Sequence, residues 1–338
     1  MYQRNTVIRS WCEKQLSYWM ARRPNHASAI EKFERLNATE ASVFLFRIED
    51  GRVALLDKPA FYTREDIAQR SVFLIDRALS YRDFLQQVVK YRRPEGSGVL
   101  AMGMHDTPFA SDSVPIFAFQ KGSGSHAILL NDPDFITNTF YPSGPCSDPR
   151  PFDRKLNQAV FVGATTGAMH TEESVAGLWD QRLRSGVAFR DCPEVDFKLP
   201  VITQCQTEAA AARIRELGFG GGEYDWAYQF RYKFMISMDG NGATCARVAL
   251  GLKGRSVLLK YDSPHELYYF SGLTPWLHYI PIESDQQVVD IVRLEAAQPG
   301  RFRYVSEESR RFYSRYLTRP AVMTYASRLI EMYFSTFT

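Results

Sequence analysis

Apolar residues along the chain recur at two spacings, one of three to four and one of two, and the spacing changes several times. Ile8, Trp11, Cys12, Leu16, Trp19 and Met20 step by three and four, which predicts a short amphipathic helix at the start of the sequence. Val43 to Ile48 and Val53 to Leu56 flank Glu49-Asp50-Gly51-Arg52, a hairpin pattern whose Asp-Gly supplies the positive φ angles of the turn. A helical period resumes over residues 64–89. Val99 to Met104, Ile116 to Phe119 and Ala127 to Leu130 are short apolar runs broken by Gly, Pro and Ser, the spacing of strands.

Residues 137–151 are rich in Pro, Ser, Gly and Asp and predict a linker. Beyond it, strand runs at Ala159 to Val162, Lys233 to Met238 and Ser256 to Lys260 alternate with helical stretches over 174–183, 207–217, 243–252 and 285–297. That alternation is the signature of a parallel α/β sheet, so the second half reads as a nucleotide-binding layer. Ser306 followed by Glu307 and Glu308 predicts a helix start. Pro320 suits the first turn of a further helix, with Val322, Tyr325, Leu329 and Met332 on its buried face.

Length divides this pattern into two domains or one large one, since the chain has 338 residues. A composition of 45% hydrophobic and 23% charged residues is that of an ordinary soluble globular protein. A net charge of +3 is too near neutral to argue for nucleic-acid binding. No apolar run approaches the roughly 18 residues that cross a bilayer. Arg4, Arg9, Glu13 and Lys14 interrupt what would be the apolar core of a signal peptide. The five cysteines are scattered without any Cys-x-x-Cys, so the expectation is a cytoplasmic protein with reduced thiols and no zinc site.

The strongest chemical signal is the run from Lys233 through Asp239-Gly240-Asn241-Gly242-Ala243-Thr244 to Arg247, a strand, a glycine turn and a helix start in order. Glycines let backbone N–H groups approach a ligand, and a helix N-terminus favours an anion. Arg247, one turn in, suits a fork onto a diphosphate. A dinucleotide fingerprint would need glycine at Cys245, which disfavours a Rossmann dehydrogenase. Taken alone, the segment reads as readily as a tight turn with a surface arginine.

Ser256-Val-Leu-Leu-Lys260-Tyr-Asp262-Ser-Pro264 and Leu273-Thr-Pro275-Trp276-Leu-His278-Tyr279-Ile-Pro281 continue the pattern, and here the chain resembles glycosyltransferase family 90. Asp106-Thr-Pro, Val114 to Lys121, Ile128 to Asp134 and Phe152 to Gly167 are similar to upstream blocks of that family, so the resemblance spans roughly residues 100–285. It departs where Val162 stands for a frequent arginine and Ala164 for serine, and Arg182 is the candidate for an arginine displaced downstream.

The resemblance implies a GT-B glycosyltransferase, two Rossmann-like domains with a cleft between them. Residues 1–150 would form the acceptor-side domain and 151–338 the UDP-sugar domain, the last helices packing back on the first. It implies Asp106 as the base, although an aspartate after a strand is by itself more often a turn cap. Gly163, Thr165, Thr166, Arg182, Asp239, Gly240, Asn241, Gly242, Ala243, Thr244, Arg247 and Lys260 would hold the donor, UDP-glucose or UDP-xylose, with no metal or other cofactor. The acceptor would be a hydroxyl of a cell-surface glycan such as lipopolysaccharide or capsule, free or lipid-linked.

Two rivals stand beside this. Asp132-Pro133-Asp134 after an apolar run is how a metal-dependent GT-A transferase holds its ion. A non-catalytic nucleotide-sugar or glycan-binding protein would also fit the changes at Val162 and Ala164. Six arginines and five aromatics within residues 301–319 fit either peripheral contact with an anionic membrane or, more plainly, a solvated helix face.

Overall fold

The computed structural model describes residues 2–57, 65–106, 112–141, 146–243 and 245–337. Helix α1 (Tyr2–Arg22) buries Ile8, Trp11, Cys12, Leu16 and Trp19 of the predicted stripe, while Met20 at its edge is exposed. Helix α2 (His26–Thr39) starts at Asn25, whose side chain accepts from Ser28 N. Strands β1 (Val43–Glu49) and β2 (Arg52–Leu55) pair antiparallel with Glu49 opposite Arg52. Asp50 and Gly51 between them have φ of 50° and 75°, the left-handed pair that a two-residue hairpin turn requires.

After α3 (Glu65–Tyr91), strand β3 (Gly98–Gly103) pairs antiparallel with β1. Strands β4 (Ile116–Ala118), β5 (Lys121–Gly122) and β6 (Ile128–Leu129) follow, then helix α4 (Pro133–Thr137). The sheet order is β2-β1-β3-β4-β6, with β3, β4 and β6 parallel. This first sheet is therefore mixed, not the all-parallel sheet of a Rossmann-like domain. The Asp-Gly turn forces the difference, because two residues can join only antiparallel strands.

The second sheet begins with β7 (Leu156–Ala164), followed by α5 (Glu172–Ala176), α6 (Gln181–Ala188), β8 (Val195–Val201), α7 (Glu208–Glu216) and α8 (Trp226–Gln229). Then come β9 (Tyr232–Ser237), α9 (Cys245–Lys253) and β10 (Val257–Tyr261). Strand β11 (His265–Glu266) returns to pair with β5, and β12 (Ile280–Ile282) adds to the second sheet. Helices α10 (Asp285–Ala297), α11 (Arg303–Tyr316) and α12 (Arg319–Phe334) end the described chain. Ser306 lies inside α11 and is buried, so it does not start that helix. On α12 the inward position is Tyr333, and Met332 is half-buried.

The second sheet is parallel throughout, in the order β12-β10-β9-β7-β8. Counted from the β8 edge this is 2-1-3-4-5, a doubly wound arrangement. Its core includes Phe161, Phe197, Phe234, Ile236, Leu259 and Ile280. Residues 1–140, 264–272 and 315–338 form one compact unit, and 141–263 with 273–314 the other. The chain thus does not divide at a single cut near residue 150. Within the first unit, Tyr325 of α12 donates its hydroxyl to the Leu129 carbonyl at 2.6 Å, which ties that helix to β6.

Candidate functional site

In a doubly wound sheet the crevice lies beyond the carboxyl ends of the two strands where the connections reverse direction. In the second unit those strands are β7 and β9. Strand β7 runs out through Thr165-Thr166-Gly167, and β9 through Met238-Asp239-Gly240-Asn241-Gly242.

Arg182 ties the two ends together. Its helix α6 is capped by Asp180, whose Oδ1 accepts from the N–H groups of Arg182 and Leu183 at 2.9 and 3.1 Å. Nη1 of Arg182 donates to the Ala164 carbonyl at 2.7 Å and to Thr166 Oγ1 at 2.8 Å, and Nη2 donates to the Met238 carbonyl at 2.9 Å. Gly240 permits this approach, since a Cβ there would lie 2.4 Å from Thr166 Oγ1 and 2.9 Å from Arg182 Nη2. Gly167, at φ +126°, donates its N–H to Asn241 Oδ1 and Gln204 Oε1, both at 3.1 Å, and Gln204 Nε2 donates to Asn241 Oδ1 at 2.9 Å.

Arg247 approaches the same strand end from α9. Its Nη1 donates to Gln229 Oε1 at 2.7 Å, its Nη2 donates to the Val162 carbonyl, and its Cζ lies 4.7 Å from the centre of the Phe161 ring. Arg182 Cζ lies 5.4 Å from the same ring. Among the described residues no carboxylate pairs with Arg247, and Nε of each arginine is buried without a partner. Burial, and then the like charge of Arg182, bring Arg247 down to about 9. Arg182 is lowered by burial, against the opposing pull of Asp180 and Asp239. The expected free fork of Arg247 is not present here, because Gln229 of α8 and the Val162 carbonyl take both its terminal nitrogens.

The remaining candidates divide. Gly163 closes β7 and is half-buried, and Gly242 and Ala243 are buried in the glycine turn, where Gly240 N donates to the Gly242 carbonyl at 3.1 Å. Thr165 is fully buried, and its hydroxyl donates to the Thr203 carbonyl and accepts from Thr203 N, each at 2.9 Å, so its side chain is occupied within the protein. Asp239 accepts from the Ser263 hydroxyl. Lys260, near the end of β10, is lowered by burial, with Asp239 and Asp262 opposing. Thr244 lies outside the described residues. Sequence reading missed Asp180, Gln204 and Gln229, polar residues in no recognisable motif.

The sequence model of the family described as Glycosyl transferase family 90 matches residues 206–338. The match supports the family 90 resemblance over that segment. Uncharacterized protein 179R of Invertebrate iridescent virus 6 is 24% identical over 209 residues, which is 53% of this chain and 17% of that protein. Protein O-glucosyltransferase 2 of Danio rerio is 29% identical over 105 residues, 31% of this chain and 21% of that protein. Protein O-glucosyltransferase 3 of Homo sapiens is 41% identical over 54 residues, 16% of this chain and 10% of that protein. The chain thus spans about a fifth or less of the length of these relatives.

The family 90 segment contributes the β9 loop, α9 and Arg247, whereas β7, Thr166 and Arg182 precede it. The crevice is built from both sides of that boundary. Also outside the segment, Asp106 follows β3 in the first unit, half-buried, with Oδ1 3.0 Å from Nη1 of Arg77. The same nitrogen donates to the Met104 carbonyl, and Gln120 Nε2 donates to the carbonyl of Asp106. Asp132 caps α4, its Oδ1 accepting from Asp134 N at 3.1 Å while Oδ2 is buried without a partner. Burial and then the charge of Asp134 hold its carboxyl well above the ordinary carboxylate range.

Among the described residues no helix is long and apolar enough to cross a membrane. At the C-terminal end of the family 90 segment, Arg303 pairs with Asp153 and Arg311 with Glu308, while Arg301 and Arg319 donate to Gln298 and Gln87.

Proposed function

We propose that the chain is an inverting, metal-independent glycosyltransferase of GT-B type that moves glucose from UDP-glucose to a hydroxyl of a cell-surface glycan. The observation that carries this is the pair Arg182 and Arg247, which straddle the end of β7 at the switch point with no carboxylate among the described residues paired to Arg247. Two buried like charges beside a glycine turn call for an anion, and a diphosphate supplies it. Two relatives carry the name Protein O-glucosyltransferase, which favours glucose over xylose and speaks for a protein acceptor in those relatives.

On this reading Asp106 takes the proton of the acceptor hydroxyl as that oxygen attacks the anomeric carbon. The bond from that carbon to the UDP oxygen breaks, and the configuration inverts. Arg182 and the turn amides near Gly240 stabilise the charge on the departing diphosphate, and Arg247, whose terminal nitrogens are taken by Gln229 and the Val162 carbonyl, adds only the field of its charge. The GT-A alternative asks Asp132 to bind a cation, whereas its Oδ1 already caps α4 and burial raises its carboxyl.

The test combines UDP-glucose and UDP-xylose with lipopolysaccharide, capsular glycan and serine-containing peptide acceptors, following UDP release and product anomeric configuration by NMR. Glucose transfer to a glycan with inversion is the expected result. Retained configuration, or a chain that binds no UDP in calorimetry, would end the proposal.

A further inference from the structure

Beside the arginine-lined crevice stands an apolar rim. Trp179, Met169 and Val201 are 63%, 63% and 56% exposed, which is unusual for side chains of this size. Each is tied to the crevice through the backbone next to it. Val201 ends β8 opposite Ala164, and its carbonyl accepts from Thr165 N at 3.0 Å. Met169 precedes His170, whose N–H donates to the carbonyl of Gln204 at 2.7 Å.

Trp179 is the most closely coupled. It directly precedes Asp180, the cap of the helix that carries Arg182. A Cβ built on Gly167 would lie 3.2 Å from Asp180 Oδ2 and 3.4 Å from the Gly240 carbonyl, so the side chain of the residue after Trp179 reaches the Gly167 turn beside the β9 loop. The ring is fixed in place. Leu178 turns the chain at φ +51°, Trp179 N donates to the Ser174 carbonyl at 3.1 Å, and a Cβ on Gly177 would lie 2.3 Å from Trp179 Nε1. One side of the indole therefore rests on the end of α5, and the rest is open.

A rigid exposed indole next to a cationic crevice matches a ligand that joins a planar ring to an anion. We infer that Trp179 is the stacking platform for the base of the nucleoside diphosphate whose phosphates lie against Arg182 and the Gly240 turn. This rests on the donor-site reading above and deepens it by naming the residue that receives the base. Stacking tolerates any base, so Trp179 supplies affinity and leaves the choice of base to hydrogen bonds elsewhere.

Calorimetric titration of the full chain with UDP and with inorganic pyrophosphate tests the inference. Trp179→Ala should weaken UDP about tenfold or more and leave pyrophosphate unchanged, because only the base loses its contact. Trp179→Phe should keep UDP affinity within about threefold, since a ring remains. Unchanged UDP affinity in Trp179→Ala, or an equal loss for pyrophosphate, would overturn the platform while leaving the donor site in place. A wild-type chain that binds neither probe would instead remove the donor site itself, and the platform with it.

Discussion

Gly240 stands so close to Thr166 that one added carbon would lie 2.4 Å from the threonine hydroxyl, well inside contact distance. Its φ is not in the left-handed region, so the glycine is there for space and not for backbone freedom. Gly240→Ala should push Thr166 and the buried Arg182 apart and separate the β7 and β9 loops. Overpacking of this kind costs about 1–3 kcal/mol. Expected are a folded protein with Tm lowered by a few degrees and UDP affinity down about tenfold. Wild-type UDP affinity would show that the gap between the loops is not where the nucleotide lies.

Asp106→Asn keeps the shape of the side chain and removes its capacity to accept a proton. With saturating donor and acceptor, turnover should fall by roughly 10²–10⁴ while UDP affinity in calorimetry is unchanged. Arg77 orients that carboxylate at 3.0 Å, so Arg77→Met should lower turnover less and leave UDP binding alone. Turnover at the wild-type level in Asp106→Asn would remove this residue from the reaction.

Asp132 makes stability depend on pH in an unusual direction. Its folded carboxyl titrates well above its ordinary value of 3.8, so between the two values the folded state keeps a proton that the unfolded chain has released. Its contribution is complete below the ordinary value and is lost as pH rises through the folded one. Asp132→Asn preserves a good cap and abolishes this loss. The variant should melt higher than wild type at pH 7, with the difference vanishing near pH 3.5. A difference independent of pH would contradict a carboxyl raised by burial.

If fixed donors stabilise the leaving group, chelation has nothing to remove. Transfer should proceed undiminished in excess EDTA and continue in Asp132→Asn. Activity lost to EDTA and restored by manganese would transfer the mechanism to the acidic pair.

Lys233 and Glu295 form a buried ion pair at 2.8 Å, and Glu295, fully buried, also accepts from Gly300 N and Phe302 N. Removing one partner of such a pair strands the other charge. Lys233→Met should therefore destabilise the chain by about 3–5 kcal/mol, read from urea melts. A loss under 1 kcal/mol would mean that the backbone donors alone satisfy Glu295.

Where a residue's role is decided by its neighbours along the chain, the sequence is a good guide. The Asp50-Gly51 turn, the order of strand, glycine turn and helix from Lys233 to Arg247, and Pro320 in the first turn of α12 were all legible. Strand β8 was missed although Val195, Phe197 and Leu199 alternate inward, because Asp196, Lys198 and Pro200 between them resemble a loop. The break between α5 and α6 depends on Leu178 at a positive φ, which no glycine advertises. For the site, sequence named Arg182 and Arg247 as cations of interest. That Arg247 points under β7 toward Gln229 depends on α8 packing across it, a contact between residues 18 apart. Lys233, part of the family pattern, is matched by a carboxylate 62 residues away and acts in the core.

Strand β11 and helix α12 belong to the same compact unit as the first 140 residues. During synthesis that unit therefore has to wait: β5 has no partner strand until residues 265–266 emerge, and the Leu129 carbonyl has no donor until Tyr325 does. The second unit's main strands are all made in the meantime, so the half that begins later is the one equipped to finish first. An N-terminal fragment released before residue 315 would carry an open apolar face where α12 belongs, and the isolated segment 206–338 would lack β7, the strand next to β9 in its own sheet.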